Sequence, residues 1–241
     1  SRRYATTTTV LLDGSGGAIV VDPAWDIDEL AAIPTDLADL EVQCVAGVAT
    51  HEHYDHVMWH PGLGDVPRWA SPATVRRLAE SRDDVLAPLA EFLTAGLIAI
   101  AGRLEPLDTT RLPWTGPTAT CVVHDAHAPG HLAVLVEPTG VLVAGDMLSD
   151  VELPMPADDD RTLEVYRTGL LALREVVDLA SWVIPGQGSP SADPRSRLEA
   201  DLRYLDDLMD GRRSTDPRVS DPVNRDLHRE NLARAARAAQ G

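Results

Sequence analysis

The stretch Thr50-His51-Glu52-His53-Tyr54-Asp55-His56 constrains this chain more than any other. It follows an apolar run, residues 42–49, that reads as a buried strand, so the cluster sits at a strand's C-terminal end. His51 and His53 are two positions apart, and in an extended segment or tight loop their rings can converge on one point. Asp55 and His56 follow at once and can face a second point beside the first. Imidazole and carboxylate are the ligands that borderline divalent metals favour. A polar loop with ordinary surface histidines is the plainer reading. The recurrence of ligand-type residues at strand ends downstream argues for a metal instead.

Three further segments carry that recurrence. Ala128-Pro129-Gly130-His131 precedes a predicted strand, so His131 can project from a sharply turned loop. Leu142-Val143-Ala144-Gly145-Asp146 places a carboxylate just after a buried strand, and Val183-Ile184-Pro185-Gly186-Gln187-Gly188 repeats the format with an amide. Each has glycine beside the polar residue, which permits close backbone approach.

The remaining pattern predicts alternating strands and helices. Residues 6–12 and 18–21 flank the turn cluster at 13–17 and form a hairpin ending at Asp22-Pro23. Residues 26–40 have helical spacing, interrupted at Pro34, and 57–60 read as a short helical turn stopped by Pro61-Gly62. A short strand is expected at 66–70, helices at 72–81 and 84–95, and strands at 103–107 and 119–124. A hairpin spans 132–144, an amphipathic helix 161–179 follows the solvated run Asp158-Asp159-Asp160 that would cap it, and 182–184 form a short strand. Helices at 194–209 and 226–239 close the chain. Residues 1–211 read as one domain, and 212–241 as a linker and helix packed on it. That Arg-bearing helix could bind an acidic substrate, cover apolar surface or mediate a homodimer.

Composition narrows the partners. At 241 residues and 44% hydrophobic the chain can bury a real core, and no apolar stretch is long enough to span a membrane. A net charge of -17 repels phosphate backbones, so nucleic acid is not an expected partner. Every basic residue is arginine, which removes lysine as nucleophile or Schiff base and reads as the coding bias of a GC-rich bacterial genome. Cys44 and Cys121 lie in apolar runs as core residues, not a disulfide framework, and no leader segment is apparent, so a cytoplasmic location is expected.

From residue 6 to residue 189 the sequence resembles the metallo-β-lactamase-fold hydrolase superfamily, in its glyoxalase-II-like and lactonase-like branches. The resemblance rests on Asp22, the HxHxDH run from His51 to His56, His131, Asp146 and Pro185-Gly186-Gln187-Gly188. It implies an αββα sandwich of two mixed β-sheets flanked by helices, with the site in a groove along one edge of both sheets. It also implies a first metal on His51, His53 and His131, a second on Asp55, His56 and a final histidine, Asp146 bridging both, and Asp22 orienting ligand loops by hydrogen bonds. The final histidine is here Gln187, a weaker ligand for zinc. Gln187 could ligate through its oxygen, hold a metal-bound water, or mark a lost second metal. A dinuclear site with a weakened second position is the reading taken over a single metal.

The expected cofactor is one or two zinc ions, with iron or manganese as alternatives. The expected function is hydrolysis of a small-molecule ester, thioester or lactone by a metal-bound hydroxide, with Asp55 accepting a proton. A one-iron oxidoreductase acting on persulfides and a metal-binding relative without turnover are the alternatives. Tyr54, His127 and His60 are candidate pocket residues, and His127 would stand near the groove's mouth.

Overall fold

A computed structural model describes residues 5–157 and 162–240. Its first sheet is built from β1 (Thr9–Leu12), β2 (Gly17–Val21), β3 (Gln43–Val48), β4 (Arg68–Ala70) and β5 (Glu105–Pro106), in that order. β1 and β2 pair antiparallel, as the hairpin predicts, and the other pairings are parallel. The second sheet runs β6 (Ala119–His124), β7 (His131–Val136), β8 (Val141–Gly145) and β9 (Trp182–Pro185), antiparallel except for β8 with β9.

Alternation along the strands produces the layers. In β2, Ile19 and Val21 face the second sheet, where they join Val48, Leu132, Val134 and Val143 in an apolar layer between the sheets. Ala18 and Val20 face the other way, onto α1 (Ile27–Asp39), α2 (Pro72–Leu86) and α3 (Ala95–Ile100). Behind the second sheet, Leu142, Ala144 and Val183 pack on α4 (Leu163–Leu179) and α5 (Pro194–Met209). This is an αββα sandwich with three apolar layers. Among the described residues no helix is long and apolar enough to cross a membrane.

Several local expectations change. α1 runs through Pro34, with Asp26 as its N-cap. Residues 57–60 form no helical turn; Pro61 instead opens a short 3₁₀ turn with His60 as its cap, accepting the Gly62 N–H at 3.0 Å. The two helices expected after residue 71 begin as one helix kinked at Ser81. α4 is capped by Thr162, whose side chain accepts the Val165 N–H; the Asp158–Asp160 run lies outside the described residues. α6 (Arg225–Ala238) lays Leu227 and Ala235 on the α4–α5 layer, so this helix covers apolar surface.

Candidate metal centre

The parallel strands β2 and β3 end side by side, and the first half of the site is built on that edge. Asp22, just past β2, holds the left-handed backbone conformation (φ 48°) and turns its carboxylate under the next loop. Its Oδ1 accepts the Thr50 N–H at 2.8 Å and its Oδ2 accepts the Thr50 hydroxyl at 2.7 Å. The same Oδ2 lies 2.9 Å from His56 Nδ1. One buried carboxylate therefore ties both ends of the histidine loop.

These bonds fix the tautomers. A carboxylate only accepts, so Thr50 gives its single hydroxyl proton to Asp22. Its oxygen is left to accept from His51 Nδ1, 3.0 Å away. His51 therefore carries its proton on Nδ1 and offers a bare Nε2. His56 Nδ1 faces Asp22 but makes no hydrogen bond among the described residues, and its Nε2 stands 3.2 Å from Asp146 Oδ1 and 3.6 Å from Asp55 Oδ2. His127 has its Nδ1 3.0 Å from the Met155 carbonyl, which can only accept, so it too presents a free Nε2.

The free nitrogens converge. His51 Nε2 is 3.0 Å and His127 Nε2 3.1 Å from His53 Nδ1, and the two stand 3.7 and 3.6 Å from Asp146 Oδ2. Two lone pairs and a carboxylate aimed at one spot cannot all be satisfied by a single imidazole proton. A cation is their natural common partner. Asp55, His56 and Asp146 form a second such group, in which His56 Nε2 and Asp146 Oδ1 are buried with no hydrogen bond among the described residues. The residues present thus fit one or two divalent metals.

The electrostatics agree for His51 and His127. Burial pushes the imidazoles of His51 and His127 down, His127 to about 3, and neighbouring histidines push them further, so both stay neutral as metal ligands must be. Burial also acts against charge on His56, but the carboxylates of Asp146, Asp55 and Asp22 outweigh it and hold that ring above its ordinary value. Burial raises Asp55, and the nearby Asp146 adds to the rise. Burial works in the same direction on Asp146, yet His56 overrides it and keeps this carboxyl below its ordinary value.

His131 stands apart from both groups. It is the first residue of β7 and pairs with His124 across the β6–β7 ladder, which draws it into the sheet. Its Nε2 accepts the Asp146 backbone N–H at 3.2 Å, and its ring stacks between His51 and His124. The expectation places His131 with His51 and His53; in the structure His127, at the bend of the 125–130 loop, lies in that cluster instead. That bend is closed by Asp125 accepting the Gly130 N–H at 2.8 Å. His60 caps the 3₁₀ turn and is not among the described lining residues of the pocket. Glu52 turns away to pair with Arg77 of α2 at 2.6 Å.

The second sheet supplies the other half. Gly145 (φ 57°) ends β8 where an added Cβ would meet the His131 ring at 2.5 Å, and this turn delivers Asp146. A Cβ on Gly186 would strike Asp146 Oδ1, so only glycine lets the end of β9 come this close. Gln187 then places Nε2 3.4 Å from Asp55 Oδ2 and 3.3 Å from Asp146 Oδ2, with its Oε1 buried and unpartnered among the described residues. The cluster opens into a pocket of about 390 Å³ lined also by Tyr54, by Asp84, Val85 and Pro88 from α2 and beyond, and by Glu152 and Met155. Sequence reasoning missed these last five, which carry no motif. A cleft of about 440 Å³ beside α5 is lined by Asp206, Asp207 and Asp216, but arginines pair with all three.

Comparison with known proteins gives the same picture. A family model described as the metallo-beta-lactamase superfamily matches residues 3–205. A probable polyketide biosynthesis zinc-dependent hydrolase of Bacillus subtilis (strain 168) is 54% identical over 43 residues, 18% of either chain. The sec-alkylsulfatase Pisa1 from a Pseudomonas species superposes with a TM-score of 0.65 at 16% identity, covering 86% of this chain but 40% of that one. A metallo-beta-lactamase from Pontibacter korlensis gives 0.63 at 18% identity over 83% and 87%, and one from Hirschia baltica 0.60 at 21% over 83% and 85%. At such identities the structures establish the fold alone. The extent of the family match and the shared sandwich make the chain a member of the metallo-beta-lactamase superfamily.

Proposed function

We propose that this chain is a metal-dependent hydrolase of a small-molecule ester, thioester or lactone. The observation that carries the reading is the convergence of His51, His53 and His127 on Asp146, with the tautomers of His51 and His127 set by outward hydrogen bonds. A divalent metal there would supply Lewis acidity, polarising a carbonyl and making water acidic enough to ionise near neutral pH. Zinc is proposed because the Bacillus subtilis relative is named as zinc-dependent.

The chain's own residues would divide the remaining work. Asp22, through Thr50 and His56, would hold the ligand loop rigid. Asp55 lines the pocket and, with its proton affinity raised, is suited to take a proton from attacking water. Tyr54, Val85, Pro88 and Met155 would exclude water from the substrate's apolar part.

Gln187 favours one tight metal over two. Its amide nitrogen bridges Asp55 and Asp146, where a second cation would otherwise stand. This keeps a one-iron oxidoreductase acting on persulfides as the second reading. Elemental analysis of protein purified without added metal, followed by an ester, thioester and lactone panel, separates the two. The expected result is one zinc per chain with turnover on the panel, and Gln187→His raising the stoichiometry towards two. One iron per chain with oxygen uptake on a persulfide would overturn the hydrolase reading.

A further inference from the structure

The loop after β8 carries Glu152 into the pocket wall, and the C-terminal segment fixes it there. Arg218 Nη1 donates to the Glu152 carbonyl at 2.6 Å and to the Ser149 carbonyl at 2.9 Å. The Glu152 N–H donates to Ser149 Oγ at 3.0 Å, and Asn224 Nδ2 donates to the Val151 carbonyl at 2.8 Å. Arg218 is itself held by Asp201 at 2.8 Å and Asp216 at 2.7 Å. These bonds hold the Glu152 backbone at the pocket, which Glu152 lines with Asp55, Asp146 and Gln187.

The Glu152 carboxyl has no hydrogen bond or ion pair among the described residues, although most of it is removed from water. Burial first, then repulsion from Asp146 and Asp55, pushes its pKa up to about 8. A cation brought beside Glu152 would favour its ionised form. A carboxylate held in such a place lacks a positive partner. Among the described lining residues none is an arginine, and Asp55, Asp84 and Asp146 are acidic like Glu152 itself. Gln187 Oε1, deeply buried on the same wall, is a second acceptor without a donor, because its amide nitrogen is turned to Asp55 and Asp146. Tyr54 adds an aromatic ring, a surface that favours ammonium groups.

We propose that Glu152 determines the specificity of this pocket, and that the substrate it selects carries an ammonium or similar cationic group away from the bond that is cleaved. The substrate class rests on the hydrolase reading; the cation site does not. An anionic substrate would meet uncompensated carboxylates and be rejected.

The test uses the metal-loaded full chain and three esters of one acyl group: a choline ester, its uncharged tert-butyl analogue and a carboxylate-ended analogue. The expected order of kcat/KM is cationic, uncharged, anionic. Glu152→Gln, which keeps shape, should cut the cationic-to-uncharged ratio by about tenfold or more, with Glu152→Asp restoring part of it. Calorimetric titration with choline gives a readout without turnover, and Glu152→Gln should weaken that binding by a similar factor. Equal losses on all three esters, or a preference for the anionic one, would overturn the proposal. Hydrolysis without charge preference would sink it and spare the hydrolase reading. Glu152-dependent choline binding without turnover on any ester would do the reverse.

Discussion

At the scale of single residues, the site turns on which histidine reaches the cluster. His51, His53, Asp55 and His56 were legible because their convergence is dictated by neighbours in sequence. The choice among His124, His127 and His131 was not, because it depends on where β7 begins. The strand starts at His131 and absorbs it, while Asp125 closes the turn that leaves His127 free to project. Swapping either side chain separates the two roles. His127→Ala should weaken metal binding by well over a hundredfold, since a direct ligand matters more than the roughly 10–100-fold typical of an outer-shell partner. His131→Gln keeps an acceptor for the Asp146 N–H and should stay within that 10–100-fold range. Competition against a chromophoric chelator measures both. A larger loss for His131→Gln than for His127→Ala would reinstate His131 as the ligand.

Among the elements, strand ends did most of the organising, and strands are where the sequence was easiest to read. Apolar runs bounded by Gly, Pro and Asp marked β2, β3, β7, β8 and β9, and each leads into or starts at a polar residue in or beside the site. The opposite wall was hidden, because the end of α2 and the loop around Glu152 have ordinary loop composition and take their position from distant partners. Arg218 is the clearest of these partners. It lies in a polar stretch that reads as a linker, yet it is buried and shared between Asp201, Asp216 and two carbonyls of the pocket loop. Arg218→Met should therefore destabilise the fold by about 3–5 kcal/mol, because Asp201 would remain buried without its partner. Adding Asp201→Asn should recover part of the loss in denaturant unfolding. A double variant no more stable than the single one would show that Arg218 acts through its carbonyl bonds rather than through Asp201.

For the molecule as a whole, the site is a joint between two sheets. His51, His53, Asp55 and His56 follow β3 of the first sheet, while His127, Asp146 and Gln187 stand at the ends of strands in the second. A metal held by both groups would tie the sheets together at one edge, beyond the apolar layer of Ile19, Val21, Val48, Leu132 and Val134 that already joins them. That layer needs no metal, so the metal-free chain should still fold. It should fold less stably, because a ligand that binds only the native state at about a thousand times its Kd adds about 4 kcal/mol. For a chain of this size each kcal/mol shifts Tm by about 2–4 °C, so removing the metal should lower Tm by about 8–16 °C. Thermal unfolding before and after dialysis against a chelator, with zinc returned to one equivalent, measures this. His127→Ala should lie at the lower Tm with or without zinc. A Tm that ignores the chelator in protein of proven metal content would mean that the metal sits elsewhere, and that the two sheets meet at this edge without it.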